Sequence, residues 1–192
     1  MLTQLFLMVV EAVFGFFSMM LLARFLMQMT RAPFRNPLGR FVIAVTDGLV
    51  RPVRRILPNP FNFDLASLLL AWILQAMFLG FAFGLAGAID SMSTKALGVV
   101  SLLAIIETVR LTVYLMVGAV VVAAALSWIN PYSPVAPLFD ALVQPLLAPF
   151  RRRLPTVGGV DVSPLLVLLL LQVVLALVGW ARAAVAAQFG PS

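Results

Sequence analysis

Long apolar runs alternate with short arginine-bearing amphipathic segments along this chain, in the order long, short, long, and then again long, short, long. The four apolar runs are Leu2 to Met29, Leu65 to Ile89, Leu97 to Ile129 and Pro164 to Phe189. Each exceeds the roughly 20 helical residues that cross a hydrocarbon core about 30 Å thick, so each is a predicted span. The segment after the first run has a different pattern. On a helical projection Leu38, Phe41, Val42, Val45, Leu49, Val53 and Ile56 share a face about 120° wide, and Arg40, Asp47, Arg51 and Arg54 lie opposite. The segment after the third run keeps the stripe as Val135, Leu138, Phe139, Leu142, Leu146 and Phe150. Pro52, Pro137, Pro145 and Pro149 each lack an amide donor and crowd the preceding turn, so neither segment is expected to form one unbroken helix. Short interfacial helices in the headgroup plane satisfy both the stripe and the prolines.

The recurrence is visible residue by residue. Residues 37–75 match residues 134–172 without gaps at 13 of 39 positions, including Arg54 and Arg151, Arg55 and Arg152, Pro58 and Pro155, Asp64 and Asp161, and Gln75 and Gln172. One supersecondary unit used twice is the natural reading. The predicted fold is therefore an all-α integral membrane protein with four transmembrane helices in two parallel tandem repeats, each with a short amphipathic interfacial helix. The first repeat occupies residues 1–96 and the second residues 97–192.

Composition agrees, because with 63% hydrophobic and 10% charged residues the chain has too little polar surface to coat a soluble globule. The first apolar run lacks a basic leader and a small-residue cleavage site, and is expected to be retained as a helix. Nine of the thirteen Lys and Arg residues fall in the two amphipathic segments: Arg31, Arg35, Arg40, Arg51, Arg54 and Arg55, then Arg151, Arg152 and Arg153. The positive-inside bias assigns both segments to the cytoplasm and both termini to the opposite side of the membrane. Both repeats then have the same orientation, and their pseudo-two-fold axis runs along the membrane normal. With no Cys and no His, disulfides and thiolate or imidazole metal sites are excluded, and no cofactor is expected.

The candidate functional residues fall into three groups. Arg51, Arg54, Arg55, Arg151, Arg152 and Arg153 form paired basic elements that either anchor the chain to anionic lipid headgroups, at about 1 kcal/mol per residue, or build a docking surface for a membrane-protein partner. They are too few, and too free of interleaved aromatics, to suggest nucleic acid. Glu11, Glu107 and Arg110 are ionisable residues inside predicted spans, where a charge is costly and normally paired or functional. Glu11 and Glu107 stand 96 residues apart and are near-equivalent by repeat, so they either face each other around a proton or monovalent cation, or Glu107 pairs with Arg110 one turn on. Asp64 and Asp161 occupy N-cap positions before the second and fourth spans, with Gly158 and Gly159 in the turn and Ser163-Pro164 opening the helix. Arg24 and Arg182, near helix ends, are expected to snorkel to the interface. Gln75 and Gln172 are expected to hydrogen-bond between helices. The small residues Ala76, Gly80, Gly84 and Ala88, and Ala119, Ala123 and Ser127, are expected at close helix contacts, within the unit or in a homo-oligomer.

The doubled Arg-Arg-x-x-Pro at Arg54 and Arg151, followed in the second copy by Gly158-Gly159-x-Asp161-x-Ser163-Pro164, resembles the YggT family, called YlmG in Gram-positive bacteria and plastids. The tandem form is similar to the proteobacterial inner-membrane members. The first copy departs from the pattern, with Asn-Pro-Phe-Asn-Phe in place of the Gly-Gly turn and Ala66-Ser67 in place of Ser-Pro. The resemblance implies links to osmotic-stress tolerance and ion homeostasis, to cell-division or nucleoid organisation and, in plastids, to assembly of a haem-bearing cytochrome. It supplies no catalytic residue. No nucleophile with a base and no metal cluster can be assembled from this sequence, so the expectation is a non-enzymatic scaffold or assembly factor. The alternative is a small ion-homeostasis or transport-modulating protein that uses the intramembrane carboxylates.

Overall fold

A computed structural model describes residues 2–56, 64–85, 94–153 and 161–187. They form six helices and, among the described residues, no strand: α1 (Leu2–Met29), α2 (Pro37–Ile56), α3 (Leu65–Leu85), α4 (Thr94–Ile129), α5 (Ala136–Arg151) and α6 (Ser163–Ala186). The helices α1, α3, α4 and α6 are long and apolar enough to cross a bilayer, which makes the chain an all-α, multi-pass membrane protein. The helix α4 begins three residues before the apolar run that predicts it. The ends of the second and fourth apolar runs, including Ala88 of the small-residue stripe, lie outside the described residues.

The turn from α1 into α2 shows how the chain leaves the membrane. Arg31 adopts a positive φ of 54°. The Ala32 amide donates to the Met27 carbonyl at 2.8 Å and the Arg31 amide to the Gln28 carbonyl at 3.2 Å, a Schellman closure of the helix. Asn36 then caps α2, its Oδ1 accepting from the Gly39 amide at 2.8 Å, with Pro37 in the first helical position. A Cβ at Gly39 would lie 2.6 Å from the Phe34 carbonyl oxygen, so the turn closes only over glycine.

Both amphipathic segments are single helices running through their prolines, contrary to the sequence expectation: Pro52 lies inside α2, and Pro145 and Pro149 lie inside α5. All three are exposed. The hydrogen bond each one forfeits is therefore on the outer side, where water or headgroups can serve the freed carbonyl. The buried face of α2 is not the expected apolar stripe: of the stripe Val42 is buried, together with Gly39, Thr46 and Val50 from beside it, against α1 and α3, whereas Leu38, Phe41, Leu49 and Ile56 face outward. In α5 the stripe turns inward, with Leu138 and Leu142 buried and Phe139, Leu146 and Phe150 half-buried; Leu147, beside the stripe, is buried as well.

Within each half, the first long helix packs on the second, α1 on α3 and α4 on α6, and the short helix leans on both. The halves meet through α3 on α4 and α1 on α4, with α5 also touching α1. An edge contact of Phe6 with Phe81 and a tilted stacking of Phe14 with Phe78 join α1 to α3, and the Trp72 indole donates to the Ser101 carbonyl of α4 at 3.2 Å. Ala119 and Ala123 are buried in the core shared by α4, α5 and α6, the close contact that small residues allow. Gly80 and Gly84 are not at such a contact; they border an open apolar groove of about 630 Å³ beside Trp72 and Val100.

Candidate functional site: arginine–aspartate staples and an intramembrane charge cluster

Asp64, immediately before α3, is the hub of the first half. Its side chain is 1% exposed. Oδ1 accepts from the Ser67 amide at 3.3 Å, capping α3, and Oδ2 accepts from the Ser67 hydroxyl at 2.7 Å. Arg54 of α2 grips both oxygens, Nη2 to Oδ2 at 2.5 Å and Nε to Oδ1 at 3.2 Å, in the bidentate geometry that suits a guanidinium. Arg24 of α1 reaches Oδ2 at 3.4 Å and donates through Nη1 to the Thr46 hydroxyl and to Asp47, each at 2.8 Å. Asp47 also pairs with Arg51 at 2.7 Å, and Arg54 donates to Gln28 at 3.0 Å. Arg24 therefore does not snorkel. It is almost fully buried, because Thr46, Asp47 and Asp64 supply inside the fold the partners it would otherwise seek in water.

The second half keeps one element of this network. Arg151 of α5 donates through Nε to Asp161 Oδ2 at 2.7 Å, over the same separation of ten residues as Arg54 and Asp64. Asp161 lies one residue ahead of the N-cap, which is Val162, and accepts from the Ser163 amide at 2.9 Å. Ser163 and Pro164 are buried in the first turn of α6; Gly158 and Gly159 lie outside the described residues. In each half an arginine–aspartate staple thus fixes the C-terminal end of the interfacial helix to the foot of the next span.

This divides the six basic residues. Arg54 and Arg151 serve the fold and Arg51 pairs with Asp47, while Arg55, Arg152 and Arg153 are exposed and make no ion pair with any described residue. The helices α2 and α5 are not a packed pair; α2 leans mainly on α1 and α5 mainly on α4.

The three aspartates titrate low. Burial raises Asp64, but hydrogen bonds from Arg54 and Ser67 outweigh it. A hydrogen bond from Arg24 lowers Asp47. For Asp161, Ser163 and Arg151 together outweigh desolvation. A depressed folded pKa adds stability that is fully present above the unfolded value of 3.8 and is lost as pH falls through the folded value. The expected melting temperature in detergent is therefore flat from neutral pH to about one unit above 3.8 and falls below it, and Asp64→Asn flattens that fall.

The intramembrane residues form a second cluster at the other end of the bundle. Glu107 pairs with Arg110 on α4, at 3.3 Å, and with Arg182 on α6. Arg110 also lies over the Tyr114 ring, 5.5 Å from its centroid. Arg182, expected to snorkel, instead turns to the Glu107 carboxylate on the neighbouring helix. Glu11, Glu107, Arg110, Tyr114 and Arg182 line one cavity of about 210 Å³. Glu11 makes no hydrogen bond or ion pair with any described residue. Gln75 donates to the Ser18 hydroxyl across α3 and α1 at 3.1 Å, while Gln172 is exposed on α6. Arg24 and Arg182 are the partners that sequence reasoning missed. Both lie within predicted spans, where a charge is costly unless paired, and that cost was the available signal.

Comparison with known proteins gives one consistent answer. The CCB3/YggT family model matches residues 3–84 and 102–181. An uncharacterized protein of Pseudomonas aeruginosa is 34% identical over 86% of this chain and 84% of its own length. The uncharacterized protein YggT of Escherichia coli K12 is 34% identical over 85% of this chain and 84% of its own, and an uncharacterized protein of Haemophilus influenzae 33% over 80% of each. No solved structure matches the chain. The chain belongs to the CCB3/YggT family.

Proposed function

We propose that the protein is a non-enzymatic scaffold or assembly factor of the bacterial inner membrane, presenting α2 and α5 on the cytoplasmic side to anionic headgroups and to a membrane-protein partner. The observation that carries this reading is the staple in each half. Arg54 with Asp64 and Arg151 with Asp161 immobilise the ends of the interfacial helices. The adjacent Arg55, Arg152 and Arg153 remain exposed on those fixed ends. A rigid, charged, half-apolar helix suits docking better than a mobile anchor does, because less ordering entropy is lost on binding. An ion-handling role through paired carboxylates draws less support, since Glu107 is engaged by two arginines. The links to osmotic tolerance and membrane organisation that the family resemblance implies are compatible with a scaffold.

The test is photo-crosslinking in cells from probes at positions 55 and 152, avoiding the fold-bearing 54 and 151. A reproducible protein adduct at both positions is expected, and Arg153→Ala should reduce it. Capture of lipid alone would reduce these residues to anchors and remove the scaffold reading. Reporter fusions after Arg55 and after Ser192 check orientation; a cytoplasmic signal from the first and a periplasmic one from the second are expected.

A further inference from the structure

The cavity between α1, α3, α4 and α6 has charges of opposite sign on different helices. On one side Glu107 is shared by Arg110 and Arg182, which leaves one positive charge in excess. On α1 stands Glu11, a carboxylate with no partner among the described residues. Glu11 and Arg182 are both exposed, and α1 and α6 do not pack as a pair, so the cavity opens sideways between them. Gly15 lines it, and a Cβ there would meet nothing within 4 Å. The volume of about 210 Å³ holds about seven waters at ~30 Å³ each, which is room for a small headgroup.

The depth of the cavity selects its occupant. Gln75 is eleven residues up α3 from Asp64, about 16 Å, and Glu11 is seven residues further along α1 from Gln75's partner Ser18, about 10 Å more. Across a hydrocarbon core of about 30 Å, this places the cluster at the headgroup boundary of the leaflet opposite α2 and α5. An isolated carboxylate facing an arginine pair at that depth is costly unless it is matched.

We propose that this cavity binds the headgroup of an aminophospholipid from that leaflet, with the phosphate on Arg110 and Arg182 and the primary ammonium on Glu11. The zwitterion matches both sides at once. A bare cation leaves the excess positive charge unmatched, and an anionic headgroup repels Glu11. Charge-assisted hydrogen bonds at both ends, in a site partly shielded from water, supply the selectivity.

The test uses the purified full-length chain in nanodiscs of phosphatidylethanolamine, phosphatidylcholine and phosphatidylglycerol in equal parts, with the retained lipid read by native mass spectrometry. Phosphatidylethanolamine is expected to be retained about tenfold over phosphatidylglycerol. Glu11→Gln should abolish that preference, and Gly15→Leu, which fills the cavity without changing charge, should remove bound lipid altogether. Equal retention of all three lipids by the unmodified protein overturns the proposal without relying on any variant. So does a preference that survives both substitutions. Displacement of the lipid by equimolar free phosphoethanolamine overturns the lipid assignment in favour of a soluble zwitterion.

Discussion

Replacing Asp64 with alanine is expected to cost about 3–5 kcal/mol, a large part of the stability of a chain this size. The carboxylate is buried, and its loss leaves Arg24, which is buried as well, next to a second guanidinium with only Asp47 to offset them. The α3 cap and the Ser67 hydroxyl lose their acceptor in the same step. Asp161→Ala removes the residue 97 positions on and is expected to cost only about 1 kcal/mol, because Asp161 and Arg151 are each partly exposed and a partner lost there is replaced by water or headgroups. Unfolding of both variants in mixed micelles, followed by circular dichroism, gives the comparison. Equal costs would mean that the two staples carry equal weight and that the buried network around Arg24 contributes nothing extra.

The difference between the halves has a simple origin in the sequence. At the spacing of 96 that relates Glu11 to Glu107, Arg24 corresponds to Val120, Met27 to Ala123 and Gln28 to Ala124. Val120 is fully buried, as Arg24 nearly is, so one position carries a charge in one half and a methyl branch in the other. A cavity of about 120 Å³ lies beside Ala123 and Ala124, with Arg151 and Asp161 in its wall. The second half thus has neither the buried arginine nor the polar partners that it would need. The staple survives because it needs only two residues, one at each end of the same turn.

Much of the fold was legible because lipid imposes a length and a hydropathy on every span, and the four apolar runs meet both conditions without ambiguity. The interfacial helices were legible from the stripe, but their continuity was not. Proline forbids a hydrogen bond, and whether that breaks a helix depends on which side the bond faces, a property of packing. The site was less legible for a related reason. Arg54 and Asp64 are ten residues apart across a turn, and Arg24 meets Asp64 over forty positions, so neither pairing follows from helical spacing. The matched recurrence of both members, Arg54 with Arg151 and Asp64 with Asp161, was the one signal in the sequence that they act together. Reading the aspartates as caps and the arginines as docking groups separated two ends of one interaction.

At the other end of the bundle, Glu107→Gln is expected to destabilise the protein by about 2–3 kcal/mol, less than Asp64→Ala because Arg182 is only about half covered. The substitution keeps the shape of the side chain and removes its charge, leaving Arg110 and Arg182 close together with Glu11 as the remaining carboxylate in the cavity. Arg110 keeps its contact with the Tyr114 ring, so the loss falls mainly on the link between α4 and α6. Combining Glu107→Gln with Arg182→Gln should therefore restore much of the stability, since two amides can hydrogen-bond where a charge has lost its partner. In a double-mutant cycle the two residues should show a coupling of about 1–2 kcal/mol. Additive effects would instead mean that Arg182 is held by the headgroups and that α6 is fixed to the bundle through its apolar face, with Val167 and Leu171 carrying the contact.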